Sequence, residues 1–520
     1  MRNRKLVMAA SLLVTPWLLL FFVVPVVTML VNHTRWDDVS RVVGNSSTWR
    51  VVWFSSWQAM LSVVATFIIA WPITWLIGRH DFRGRRSLRA MCTVGFLLPS
   101  VVVGAAFLAV LPTSLHYTVI AVIIAHAYFN IAVVVRVVGA RLELIDPRLS
   151  GAARLLGATP TQVLRTVLWP QIRNSTGSAA AVTFLYCFTS FAVVRVLGGP
   201  SRNTMESDIA LRAFGIGDVS AATVMSVLQV AVIAAIVLLL RRLARGDATP
   251  TRAAPLPLAP LQQSQRPLAV VISLGSALFV LTPLAAVLWK SVRVKNGLTL
   301  SAWRGVVSSE LLRSITASAQ TAFLTGVIGA VLAASAAFVL SRSPRIGSAL
   351  DSASLLPLIV SPVTLGLGLL ITFDEGWFDW RDQWLLIVAA HTLVAFPLAA
   401  RVLVPAWRAI PDRLRDAAAT LGSGEVRQVF DVDLRLMRRA ITAAFGLTVA
   451  VSLGEFGAAS LLSRRGTETM PVAIARLLER TGDMFRAQAF AMSSVLIVLC
   501  LGALLMIEAT TGRSNRAKNH

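Results

Sequence analysis

The sequence is poor in charge: only 14% of its 520 residues are Asp, Glu, Lys or Arg, against roughly a quarter in ordinary soluble domains. That argues against a soluble globular enzyme. Lysine is scarcer still. Lys5, Lys290, Lys295 and Lys518 are the only ones, and none follows a glycine. A nucleotide-binding phosphate loop needs Gly-Lys-Ser/Thr to set an ammonium against the β- and γ-phosphates, so the chain contains no such loop. The three cysteines, Cys92, Cys187 and Cys500, are far apart and embedded in apolar stretches. This spacing excludes a local cysteine-only metal cluster, argues against a disulfide framework, and reads as small buried hydrophobes. No clustered set of His, Cys and acidic residues is visible either, so neither a catalytic centre nor a metal site is expected.

What is abundant is apolar surface. Hydrophobic residues make up 56% of the chain and the mean hydropathy is +0.71, more than a core of this size can hide, so lipid should be the solvent for much of the surface. The net charge of +24 would in a polar chain suggest nucleic acid. Here the arginines punctuate apolar runs of membrane-spanning length, which makes them topology signals, and no nucleic-acid partner is expected. The first run follows Arg2, Arg4 and Lys5 and reaches about Val31, too long for a signal-peptide core. Further runs of bilayer length fall near 52–77, 91–111, 118–138, 178–198 and 221–240, then near 268–289, 315–340, 350–373, 384–404, 441–463 and 487–507. The expectation is an all-α polytopic membrane protein of about twelve transmembrane helices. Basic segments at 79–89, 241–266 and 513–518 belong on the cytoplasmic side, whereas 199–220 and 373–383 mix both signs, so both termini are expected in the cytoplasm.

The stretch 241–266 is rich in proline, alanine and polar residues and lacks a helical apolar period. It reads as a cytoplasmic linker between a first six-span domain at 1–240 and a second at 267–520. The two halves repeat one another. His126 and His391, Arg136 and Arg401, Gly157 and Gly422, Phe191 and Phe456, and Thr204-Met205 and Thr469-Met470 all stand 265 residues apart. Because each half holds an even number of spans, both sit the same way up, giving a parallel repeat with a pathway expected between its copies.

Between the fourth and fifth spans of each half lies the longest cytoplasmic loop, at 146–170 and at 411–435. Each reads as two short helices hinged at a glycine. Gly157 and Gly422 supply the positive φ that ends the first helix. Ala152 and Ala153, with Ala417 and Ala418, offer a face that a partner can approach closely. Leu155, Leu156, Val163 and Leu164, and Leu421, Val426 and Phe430, supply apolar knobs. Two such loops predict docking of a twofold partner.

These loops resemble the signature loop of ATP-binding-cassette importer permeases, which has an acid, two alanines, a glycine six residues after the acid and an Ile-x-Leu-Pro ending. The first loop matches at Ala152, Ala153, Gly157, Val167 and Pro170, with Gly151 in the acid's place. The second matches at Asp416, Ala417, Ala418, Gly422, Val432 and Leu434, with Arg435 in the proline's place. Together with the segments 54–62, 125–130, 188–200 and 452–462, the likeness covers the whole chain and narrows to fused, two-copy permeases of the thiamine and ferric-iron type. Segment 452–462 is also similar to sulfate and molybdate permeases. The resemblance implies the type I importer permease fold, a bacterial inner-membrane location, and a translocation path without bond-making chemistry. It also implies docking of two copies of an ATPase subunit, which would bind ATP and Mg in place of any cofactor on this chain, and a binding protein outside that delivers thiamine, ferric iron or another small solute.

Single residues inside the spans carry two readings each. Glu455, between Gly454 and Gly457, is either a helix-packing or gating group or a site for a substrate cation. Arg195 in the matching span of the first half either pairs with it or snorkels outward. His126 and His391 each lack a second ligand at helical spacing and read as hydrogen-bonding histidines rather than metal ligands. Pro99 and Pro362, near Gly104 and Gly366, mark kinks, gates or tolerated membrane prolines. The alternative for the whole chain is a major-facilitator-type secondary transporter, which also has twelve spans in two halves, but it leaves the paired glycine-hinged loops unexplained.

Overall fold

The computed structural model describes residues 4–511, apart from 200–201, 244–257, 295–296, 308, 344–346, 348–349, 352, 355, 375–383 and 465. The linker's centre, most of the segment at 373–383 and the basic tail therefore lie outside the described residues. The described part is almost entirely helical, with strand pairing confined to two-residue pieces such as His80–Asp81 alongside Ala259–Pro260.

Nine helices among the described residues are long and apolar enough to cross a membrane, or ten if one bent pair counts as a span. About twelve spans were expected, and the difference has local causes. The run at 91–111 is two helices, Arg85–Leu97 and Ser100–Val110, meeting at 103°. Leu98 is extended and Pro99, which lacks an N–H to continue the ladder, caps the second helix. The run at 178–198 divides at Thr189, between Trp169–Phe188 and Ala192–Leu197. Its counterpart divides at Glu455, between Arg435–Gly454 and Gly457–Leu462. At 350–373 the continuous part is the shorter helix Pro362–Asp374. Breaks of this kind are tolerated at membrane depth where surrounding protein satisfies the freed backbone groups.

Two compact units cut across the sequence halves: residues 43–208 with 225–293, and residues 1–42 with 209–224 and 294–520. In the first of these, helix Arg266–Val292 packs on Arg85–Leu97 and Ser100–Val110, and Tyr128 donates to the Val280 carbonyl at 3.1 Å. In the other, the N-terminal helices Arg4–Leu18 and Val24–His33 pack on Ser309–Arg342 and Pro362–Asp374. There Phe21 meets Phe373, and Gly368 faces Pro25. Each unit thus holds the opening span of the other sequence half.

The repeat is visible in three dimensions. Ser55 Oγ accepts from the Met205 amide at 2.9 Å, and Ser318 Oγ from the Met470 amide at 2.6 Å. In both units the short helices of the broken spans approach closely. A side chain on Gly104 would meet Val196 at 2.9 Å, and one on Gly366 would meet the Ala458 backbone at the same distance.

Candidate functional site

Each of the loops at 146–170 and 411–435 begins with a nine-residue helix, Pro147–Leu155 or Asp412–Thr420. In the first, Asp146 caps the N-terminus by accepting from the Arg148 amide at 2.8 Å, and Pro147 fills the first helical position, where no N–H is needed. Both helices end alike. The Ala158 amide donates to Ala153 and the Gly157 amide to Arg154, while Ser423 donates to Ala418 and Gly422 to Ala419, all at 3.0 Å. These are Schellman closures, and they require the left-handed conformation that Gly157 (φ 85°) and Gly422 (φ 80°) adopt. A second short helix follows, opened in the first loop by a reciprocal Thr159–Gln162 capping box. A π-helical turn, Val163–Leu168 or Val429–Leu434, then leads into the long helix that begins at Trp169 or Arg435.

The closures throw apolar side chains outward. Leu155 is 91% exposed, Leu156 89% and Leu421 88%, and Phe430 and Val426 are also exposed. Ala152, Ala417 and Asp416 lie on the surface, Ala153 and Ala418 are half-buried, and nothing stands within 4 Å of where a side chain on Gly157 or Gly422 would point. Pro170 is exposed in the first turn of Trp169–Phe188. Val163 is buried rather than a free knob, and Leu164 is half-buried.

What anchors the two loops differs. In the first, Arg79, at the end of helix Ser46–Arg79, donates to the Ile145 carbonyl at 3.3 Å and to Ser150 Oγ at 3.1 Å. The π-turn beneath is apolar, with Val163 and Leu168 buried alongside Leu142 and Ile145. In the second, Asp433 of the π-turn is fully buried. It accepts from Arg415 Nε at 2.7 Å and from Arg342, at the end of helix Ser309–Arg342, at 3.3 Å; Arg415 also reaches Asp412 at 2.7 Å. Sequence reasoning missed this cluster. A sequence signal was present, because Asp433 stands 265 residues after the apolar Leu168, and the structure buries both.

The pathway candidates separate. Glu455 is buried at the break before Gly457–Leu462, where its carboxylate accepts from the Ala458 and Ala459 amides at 3.2 and 3.1 Å. His391 Nε2 lies 3.3 Å from the same carboxylate, and its Nδ1 is 2.8 Å from Ser452 Oγ. His126 instead contacts Ser62 Oγ at 3.1 Å. Arg195 is exposed on helix Ala192–Leu197. Pro362 begins its helix and packs on Gly457, while Pro99 sits at the sharp bend.

Long apolar helices, broken spans and paired glycine-closed loops define a polytopic membrane transport component built as a two-copy repeat. More specifically, the family of binding-protein-dependent transport system inner membrane components matches residues 70–245 and 326–512, and the chain belongs to it. It is an importer permease of the ATP-binding-cassette class in its fused, two-copy form, a non-catalytic transport subunit. It is 28% identical over 500 residues to the thiamine transport system permease protein ThiP of Brucella suis, covering 90% of this chain and 88% of that one. With ThiP of Escherichia coli it shares 27% identity over 511 residues, 92% of each chain. The molybdenum transport system permease protein ModB of Escherichia coli is 33% identical over 187 residues, which is 33% of this chain and 81% of that protein.

Proposed function

We propose that this chain forms the translocation path of a thiamine importer, with two ATPase subunits docked on the loops at 146–170 and 411–435. One observation carries the docking. Leu155, Leu156 and Leu421 are about nine-tenths exposed on glycine-closed helix ends that belong to no apolar span. Fully burying such a leucine is worth roughly 1.5–3 kcal/mol, so a pair of sockets on a twofold partner would hold both loops. Both termini and the linker face the cytoplasm in this reading, as the arginine distribution favours. A binding protein then delivers substrate to the opposite face.

The substrate reading rests on extent. The likeness to thiamine permeases runs over about nine-tenths of both chains, whereas the molybdenum permease aligns with a third of this one. Glu455 is engaged by two amides and a histidine, so it serves better as a staple across a broken span than as a ligand for the travelling cation.

Reconstitution of the chain with its ATPase and binding protein in vesicles tests the reading. Labelled thiamine should accumulate only with ATP, and Leu156→Asp with Leu421→Asp should abolish ATPase co-purification. Uptake by the chain alone under a proton gradient would overturn the docking, and preference for molybdate or ferric ion would overturn the substrate.

A further inference from the structure

We propose that Asp433, Arg415 and Arg342 form a positioning cluster that makes the second coupling loop the stiff one, carrying the ATPase's motion into two membrane helices at once. This rests on the reading of that loop as a docking site. The three residues come from three elements: Arg342 from the last turn of Ser309–Arg342, Arg415 from the docking helix Asp412–Thr420, and Asp433 from the π-turn that opens into Arg435–Gly454. Asp433 is fully buried, and both its oxygens are used, Oδ1 by Arg415 and Oδ2 by Arg342. Arg415 is itself buried and continues to Asp412 and toward the Ile410 carbonyl, so its guanidinium grips both ends of the docking helix's first turn. Arg342 also lies over the Phe338 ring, which packs edge-on against Trp407 of the helix leading into the loop.

A buried carboxylate bridging two arginines has one good geometry. Any displacement of the docking helix must either drag both partner helices or uncover a charge, and uncovering it is costly. Among the described residues the first loop's own helix has no equivalent: the carboxylate that bridges two arginines there, Glu143 with Arg85 and Arg89, sits on the preceding helix and holds no residue of Pro147–Leu155. Ser150 stands where Arg415 does and Leu168 where Asp433 does, and Arg79 reaches the docking helix but bonds only neutral groups there. Apolar packing of this kind slides with less penalty because it is non-directional. The fold tolerates both solutions, so the charges of the second loop are not needed merely to close it.

The test uses the full complex of chain, ATPase and binding protein in vesicles, and reads ATP hydrolysed per thiamine imported. Arg415→Ser with Asp433→Leu copies the first loop's own residues and leaves no acid beneath the helix; Asp433→Asn keeps size and shape. In both variants the complex should still assemble with the ATPase, while ATP used per substrate rises by about fivefold, the scale at which coupling residues act. Unchanged stoichiometry in a complex that still assembles would overturn the cluster's role and leave the docking reading intact. Loss of ATPase binding by the wild-type chain would instead overturn the docking reading. Failure of both variants to reach the membrane would assign the cluster to folding and also overturn the proposal.

Discussion

The two halves of the chain share a shape and differ in charge. Both loops at 146–170 and 411–435 close on a left-handed glycine, both π-turns lead into twenty-residue helices, and Met205 and Met470 each hang an amide on a serine. Yet Arg415, Asp433, Glu455, Glu310 and Glu468 of the second half stand 265 residues after Ser150, Leu168, Ser190, Asn45 and Asn203. Glycines and small residues set the geometry, and they are what the halves have in common. Buried charge is a poor way to stabilise a fold that apolar packing already supports. The copies place it differently, at Glu206 and Asp208 in the first and at Arg415, Asp433 and Glu455 in the second, and among these only the second copy's Arg415 and Asp433 lie in the loop helix and π-turn, which marks that loop as the more tightly specified.

The largest expected effect comes from removing the carboxylate at the second break. Glu455→Ala leaves His391 facing an apolar gap and two amides uncapped, and each buried donor left unsatisfied costs roughly 1–3 kcal/mol. Ser190→Ala, at the matching place of the first half, should cost about 1 kcal/mol or less. Thermal unfolding of the purified chain in detergent distinguishes the two. Equal losses would break the comparison, since they would make the acid no more than a local equivalent of the serine.

A smaller effect is expected at the glycines. Gly157→Val and Gly422→Val meet no neighbouring atom, so their cost is backbone strain alone, about 1–2 kcal/mol each. Asparagine, which tolerates the left-handed region, should be mild at both sites. In stability the two valine variants should match. In thiamine uptake they should not, because the second loop's strain passes into two helices through Asp433 while the first loop relaxes. A larger uptake defect for Gly157→Val would reverse the assignment of the stiff loop.

Much of this architecture was legible in the sequence because it depends on patterns that one chain displays: apolar length and repeated landmarks at one offset. The glycine-hinged loops were legible for the same reason, since positive φ leaves a residue signature. The broken spans were not, because a window of apolar residues looks identical whether its helix is straight or turns 103° at Pro99. Partnerships were least legible. Glu455 stood out as an acid in a span, but nothing local indicated that it caps its own next turn and meets His391, 64 residues earlier. Asp433 looked like one more polar loop residue until its burial in register with Leu168 was seen. Exchange of the opening spans between compact units left no sequence trace at all.

The smallest effect lies in the second half at the end away from the loop at 411–435. Glu468 is largely buried and shares Arg476 with Glu310, at 2.9 and 3.0 Å, on a cleft that Arg313 and Arg480 also line. Burial, then the neighbouring Glu310 charge, raises its pKa above the ordinary carboxylate value, against the pull of Arg476 and Arg480. The sign follows from linkage. An acid whose folded pKa is raised penalises the fold when ionised, so stability should increase as pH falls through the raised value toward the ordinary one near about 4.3. Asp218 behaves oppositely, because its hydrogen bond with Arg41 holds its pKa below the ordinary range. It stays ionised through that window, and its contribution is lost only at still lower pH. Comparing wild type with Glu468→Gln cancels every group common to both. Their melting temperatures should differ by about 1–2 °C near pH 7, with the variant higher, and should converge on acidification. The first half, with Asn203 and Asn45 in register, has no acid to titrate at these positions. A gap that widens on acidification would show that Glu468 stabilises the fold as a charged partner of Arg476, and this cleft would then repeat the pattern of Asp433 rather than depart from it.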